Sequence, residues 1–317
     1  MGGDARKAFL AGLIDDAGLF PPASLSMEDA VAAHRASRDG ENGWMLSRFI
    51  CPASRLPELA KQIAEMDAAT PRRISVILDT ASGERWLDGA VNDLSAAHDF
   101  TSRASGPANV ELLEGVLPAT LETPLLRKFV EAVGGAELPP PVTPYFELPG
   151  SAPIPETLGI IAEVLDGMDD TSLSRPPGAK LRCGGASEDL FPTPARVASF
   201  IHHCNRLGIP FKATAGLHHP FRHLDAATGF VRHGFVNLVG AAILSSAGQL
   251  GERQLEEVIT DENPASFSLT PEGFSWRDHN AAESEIAIAR GSLFTSYGSC
   301  SFAEPVEDLT ALGILPL

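Results

Sequence analysis

Residues 178–216 read GAKLRCGGASEDLFPTPARVASFIHHCNRLGIPFKATAG, and this stretch decides the fold. GAKLRCGG (178–185) and IPFKATAG (209–216) are short β-rich runs, and 194–207 between them has apolar residues at helical spacing. Strand, helix, strand in that order implies two parallel strands joined by a right-handed crossover. The same alternation extends in both directions. Upstream, GLIDDAGL (12–19) ends at Pro21-Pro22, and Ser26 caps a helix at 27–37 with Met27, Ala30, Val31 and His34 on one stripe. WMLSRFIC (44–51) stops at Pro52 and precedes a helix at 55–67. RISVILD (73–79) pairs with a helix at 85–98, NVELLEGVL (109–117) with 123–133, and TPYFEL (143–148) with 155–168. Downstream, an apolar helix is expected around 235–247, a short run SFSL at 266–269, and a helix at 280–294.

Eight such units in 317 residues predict a closed (β/α)8 barrel of TIM type, one domain over 1–317. The alternative is an open doubly wound α/β sheet, which normally carries a Gly-rich phosphate turn after its first strand. Here that turn is DDAGLFPP, and neither GxGxxG nor GxxxxGK[ST] occurs. The eighth strand has two readings, because FSLTPEGFSW equally suits a hairpin turning at Pro271-Glu272-Gly273. SLFTSYGSCSFAEPVEDL (292–309), rich in small hydroxyl residues, reads as a tail across one barrel face or as a dimer contact. On this reading 295–317 is a C-terminal extension and a homo-oligomer stays open.

Composition narrows the partners. Hydrophobic residues at 44% with charged residues at 21% describe an ordinary globular chain, not a disordered, collagenous or coiled-coil one. Lys+Arg 24 against Asp+Glu 41 leaves a formal charge of −17. That balance argues against nucleic acid and against an anionic membrane surface. No apolar run reaches the length of a membrane span, and Asp15 and Asp16 interrupt the apolar N-terminal stretch that a signal peptide would need. Four dispersed cysteines (Cys51, Cys183, Cys204, Cys300) read as reduced thiols of a cytoplasmic protein.

Strand parity supplies the candidate site. Alternate side chains of a barrel strand point inward, where Val, Ile and Leu normally stand. In GAKLRCGG, Lys180 and Arg182 share the face opposite Ala179, Leu181 and Cys183. In FKATAGLHH, Lys212, Thr214 and Gly216 share a face that His218 continues. The apolar faces must meet the helices, so the cations point into the barrel. Arg48, the one charge among Leu46, Arg48 and Ile50, joins them, and Asp15 or Asp16 ends the first strand where barrel enzymes place catalytic groups. The competing explanation is internal salt bridging with Glu147, Glu111, Glu114 or Asp79. His218-His219 after the Lys212 strand suits acid/base work, anion binding or a metal. His202-His203 falls inside a helix. Cys300 shows no base nearby in sequence, so a nucleophilic role is not expected of it.

Inward lysines on the sixth and seventh strands, with acids on the first and third, resemble the class I aldolases in layout. The resemblance rests on strand number and parity. It implies that Lys212 or Lys180 forms a Schiff base with a carbonyl substrate, Lys212 being favoured, with His218 and Asp15 as further catalytic groups. Arg48, Arg182, Glu147, Thr214 and His219 would then bind a small carboxylate or phosphate metabolite. The same cations also suit an anion-binding lyase or isomerase without covalent chemistry. No cofactor is expected on these readings. A divalent metal enters only in an alternative, a hydrolase or isomerase joining His218 or His219 to Asp15, Glu114 and Glu147. A non-catalytic binding or assembly barrel is the second alternative. It expects every inward cation to be paired with an acid and the strand ends to be closed, whereas an enzyme needs an open polar cavity and one unpaired cation.

Overall fold

In a computed structural model, described over residues 3–64, 72–81, 83–103, 108–139, 142–168 and 175–316, the alternation becomes a closed parallel barrel. Its first seven strands are β1 (Ile14–Asp16), β2 (Leu46–Pro52), β3 (Arg72–Ile77), β4 (Ala108–Val116), β5 (Thr143–Glu147), β6 (Gly178–Arg182) and β7 (Phe211–Thr214). A hairpin, β8 (His223–Leu224) and β9 (Val231–Arg232), follows β7. An antiparallel sheet, β10 (Phe267–Leu269), β11 (Gly273–Trp276) and β12 (His279–Ala282), lies outside the barrel. β13 (Phe294–Ser299) closes the ring by pairing in parallel with both β7 and β1. The helices are α1 (Ala5–Leu10), α2 (Met27–Asp39), α3 (Leu56–Ile63), α4 (Trp86–Arg103), α5 (Thr123–Gly134), α6 (Ile154–Asp166), α7 (Pro194–Leu207), α8 (Phe235–Ser246), α9 (Glu252–Thr260), α10 (Glu283–Ser292) and α11 (Ala303–Ala311). Among the described residues none is long and apolar enough to cross a membrane.

Local chemistry explains the elements that matter most. Ser26 caps α2 by accepting from the Asp29 N–H, and the buried residues of α2 are Met27, Ala30, Val31 and His34, the expected stripe. Thr193 caps α7 in the same way, Pro194 opens it, and Gly208 ends it with φ +65. The end of the helix expected at 55–67 lies outside the described residues, as do residues 1, 2 and 317.

The eighth strand is a correction. SFSL (266–269) belongs to the outer antiparallel sheet, in which Phe267 faces Trp276 across the hairpin. The barrel strand is β13, inside the segment read as a tail, so 295–317 is no extension. FTSYGS escapes an apolar-strand reading because its inward residues are small and polar. A register shift between Phe294 and Tyr297 lets both aromatic rings join the outer core, leaving Ser296 and Gly298 to the interior. A Cβ on Gly298 would meet Ile50 Cδ1 and Thr214 Oγ1 at 3.2 Å, so the interior has little room for anything larger there.

The apolar core lies between the barrel and its helices. Phe49, Ile74, Val76, Val110, Leu113, Phe146, Ala179, Leu181, Phe211 and Ala213 all pack into it. Leu46, Ile50, Leu112 and Tyr145 are buried but stand apart from that cluster, on the inward face. The rest of the inner wall is largely charged or hydroxylated, an arrangement opposite to the usual Val/Ile/Leu layers.

Candidate functional site

Lys180 and Lys212 are register partners on adjacent parallel strands and point to the same side, as their parity requires. Both are buried, Lys212 completely. Lys212 Nζ donates to Asp15 Oδ2 at 2.6 Å and to Glu114 Oε1 at 2.5 Å. Lys180 Nζ lies 2.8 Å from Glu114 Oε2 and 3.1 Å from Glu147 Oε2. Arg182 Nε donates to Glu147 Oε1 at 2.9 Å, with 42% of its side chain exposed at the end of β6. Arg48 closes the far side. Its backbone N–H and Nη1 reach Asp15 Oδ1 at 3.0 and 3.5 Å, and its Nε donates to Glu111 at 2.9 Å. Ser296 adds a hydroxyl donor to Asp15 at 2.7 Å, and Ser75 donates to Glu114.

Burial by itself would push these carboxyls up, but the cations outweigh it. Lys212 and Arg48 hold Asp15 well below the usual carboxylate range. Lys180 and Lys212 bring Glu114 down to about 2. Lys180, desolvated but flanked by Glu114 and Glu147, rises to about 12. A Schiff-base lysine needs the opposite shift, so Lys180 is a fixed ammonium here.

His218 and His219 do not join this network. They belong to the long connection from β7 to α8, which starts with Ala215 at φ +62 and Gly216 at φ +72. A Cβ on Gly216 would meet the backbone of Cys183 and Gly184 at 3.1 Å, so the strand ends approach closely only with glycine there. Buried Asn237 anchors the connection by accepting from the Arg222 N–H and donating to the Val258 and Asp261 carbonyls. His233 bonds the Pro192 carbonyl through Nε2 at 2.8 Å, and burial depresses it to about 4. The connection, the loop after β1 and the start of α11 enclose a cavity of about 520 Å³ lined by Ala23, His218, His219, His223, Asp225, Arg232, Cys300 and Glu304. His218 Nδ1 is 2.7 Å from Glu304 Oε2, and His219 Nδ1 is 2.7 Å from Asp308 Oδ2. Glu304 and Asp308 stand one turn apart on α11, so one helix face serves two adjacent imidazoles. The His219 and His223 rings meet edge to face at 4.7 Å, and Arg232 pairs with Asp225 at 2.6 Å.

The nine expected residues therefore divide. Asp15, Arg48, Glu147, Lys180, Arg182 and Lys212 converge in the barrel, with Thr214 half-buried at the end of β7, while His218 and His219 line a separate cavity at the strand C-termini. Asp79 is remote from the lysines and bonds Ser54. Asp16 turns away to His34, 3.0 Å distant. The carboxylates of the metal reading are engaged by lysines, and among the described residues no three His, Cys, Asp or Glu stand together as a metal-binding group. The two expectations for enzyme and non-enzyme are each half met: every inward cation is paired, yet a polar cavity opens at the strand ends. Sequence reasoning missed Ser75, Ser296, Tyr145, His223, Arg232, Glu304 and Asp308, and it set Cys300 aside for want of a base that the fold supplies in His218. The i, i+4 acids of α11 were a readable signal had that segment been taken as a helix. No family model and no curated protein matches the chain, so function is argued from this geometry.

Proposed function

We propose that the protein is an enzyme acting on a small anionic carbonyl metabolite at the C-terminal mouth of the barrel, by proton transfer in the manner of a lyase or isomerase. The observation that carries this reading is the polar cavity at the strand ends, where barrel enzymes carry out their chemistry. His218 is the acid/base group, its Nδ1 held by Glu304, which leaves Nε2 facing the cavity lining. Arg232 and the exposed part of Arg182 supply positive charge for the anion. The buried lysines hold the strand ends in register and lend the mouth a fixed field. Proton transfer is favoured over Schiff-base chemistry because Lys180 and Lys212 are each gripped by two carboxylates. The same proposal keeps the chain in a reducing cytoplasm, where its four free cysteines remain thiols.

The test is hydrogen exchange. A panel of 2-oxo and 3-oxo carboxylic acids and their phosphorylated analogues is incubated with the protein in deuterated water, and exchange beside the carbonyl is read by NMR. We expect exchange with at least one compound, reduced roughly 10²–10⁴-fold in His218→Asn. Borohydride added to the same mixtures should leave Lys180 and Lys212 unmodified. An adduct on either lysine would replace proton transfer with the aldolase-like mechanism, and absence of both exchange and adduct across the panel would remove the reading.

A further inference from the structure

The cavity holds one arrangement that proton transfer alone does not use. Cys300 Sγ lies beside the His218 ring, 3.7 Å from Nε2 and 4.0 Å from Nδ1, and Nδ1 is 2.7 Å from Glu304 Oε2. Thiol, imidazole and carboxylate thus meet at one ring, the residue types of a nucleophile, a base and an orienting acid. Glu304 fixes the tautomer by accepting from Nδ1–H, which leaves Nε2 as the free base, and a turn of the ring brings its lone pair onto the neighbouring sulfur. All three groups line the open cavity, whereas Cys51, Cys183 and Cys204 are buried. The Ala23 backbone N–H reaches the sulfur and favours its anionic form.

We propose that Cys300, His218 and Glu304 form a nucleophilic triad that cleaves activated acyl compounds, esters or thioesters, through an acyl-cysteine intermediate. In the first step Sγ bonds to the acyl carbon and the ester C–O or thioester C–S bond breaks. The thiol proton passes to His218 Nε2 and then to the leaving oxygen or sulfur. Water attacks the acyl-cysteine in the second step, His218 takes the water proton and returns it to the sulfur, and the carboxylic acid departs. No oxidant or metal is needed. Burial and the nearby Glu304 and Asp16 charges raise the Cys300 thiol, so it rests protonated and depends on His218 for activation during attack. This chemistry goes beyond the proton-transfer reading. It shares the cavity and His218 with it but does not require an anionic substrate.

p-Nitrophenyl acetate and a small aryl thioacetate serve as probes on the full chain. We expect a stoichiometric burst of p-nitrophenolate and an acetyl group that peptide mass mapping places on Cys300. Cys300→Ser and Cys300→Ala should abolish burst and adduct with unchanged thermal melting. His218→Asn should slow acylation roughly 10²–10⁴-fold. Glu304→Gln should lower the acylation rate without changing probe saturation, and Glu304→Asp should restore part of it, effects that a merely structural carboxylate would not produce. A burst that survives in Cys300→Ser, an adduct mapped elsewhere, or no burst from the native protein overturns the proposal. Deuterium exchange in Cys300→Ser separates the two readings. Exchange retained without native acylation removes the triad alone, and acylation without exchange removes the proton-transfer reading alone.

Discussion

Inside the barrel, Lys212 has no exposed surface and binds two carboxylates, while at the mouth His219 is 45% exposed and binds one. The interior acids are shared: Glu114 bridges both lysines, and Asp15 bridges Lys212, Arg48 and Ser296. The acids that hold the two mouth histidines come from one helix and are partly exposed. Charges in the interior have no water to fall back on, so each depends on its neighbours. Charges at the mouth retain water as a substitute and stay available to a ligand. The difference separates groups that hold the barrel together from groups that can do chemistry, although both regions draw on the same residue types.

The largest effect that would break this contrast is on stability. Lys212→Met keeps much of the side chain's bulk but leaves Asp15 and Glu114 without their shared cation. Removing one partner of a buried pair costs on the order of 3–5 kcal/mol. Chemical denaturation should show that loss, and Lys212→Met combined with Glu114→Gln should recover part of it. A loss below about 1 kcal/mol, the ceiling for surface pairs, would place the interior and the mouth on the same footing.

Next comes pH. Glu114 goes from an ordinary 4.5 to about 2 in the fold, and Asp15 is lowered as well. A depressed carboxyl contributes stability above its unfolded value and loses it as pH falls through the folded one. Stability should therefore decline between about pH 5 and pH 2, by on the order of 3 kcal/mol from Glu114 alone. Lys180 is raised from 10.5 to about 12, so its contribution is complete below 10.5 and disappears as pH rises through 12. Denaturation midpoints across pH should show a plateau from about pH 6.5 to 10.5, with a shallower acid limb in Glu114→Gln. His233, lowered to about 4, adds a loss of similar order between its unfolded value of 6.5 and pH 4, since burial disfavours its charged form.

Much of the interior was legible because parity is a strict rule. Two lysines and an arginine opposite Ala, Leu and Cys leave no inward alternative, and Lys180 and Lys212 face each other accordingly. Which acids would meet them was not legible. Glu111 and Glu114 differ in parity, and the register shift between Ile74 and Ser75 gives Glu111 to Arg48 and Glu114 to the lysines. The eighth strand was hidden for a related reason. Long charged side chains from β1, β4, β6 and β7 fill the interior, so the strand opposite must be small, and FTSYGS lacks the apolar alternation that marks a strand. The Cys300 base was out of view because His218 lies 82 residues away in sequence.

The smallest expected effect belongs to the mouth and tests its independence directly. Asp308→Ala removes the carboxylate that holds His219 Nδ1 at 2.7 Å, with the two side chains 35% and 45% exposed. Pairs so exposed contribute at most about 1 kcal/mol, because water replaces the lost partner and salt screens the attraction. The melting temperature of Asp308→Ala should stay close to that of the native protein, and added salt should shrink the remaining difference. The His219 ring, freed of its acid, should change its surroundings, because Nδ1 loses its hydrogen-bond partner. Proton NMR of the ring C–H signals reads that change without reference to any activity. A destabilisation approaching that of Lys212→Met would mean that α11 is fastened through its histidine contacts, and that the mouth belongs to the structural framework along with the interior.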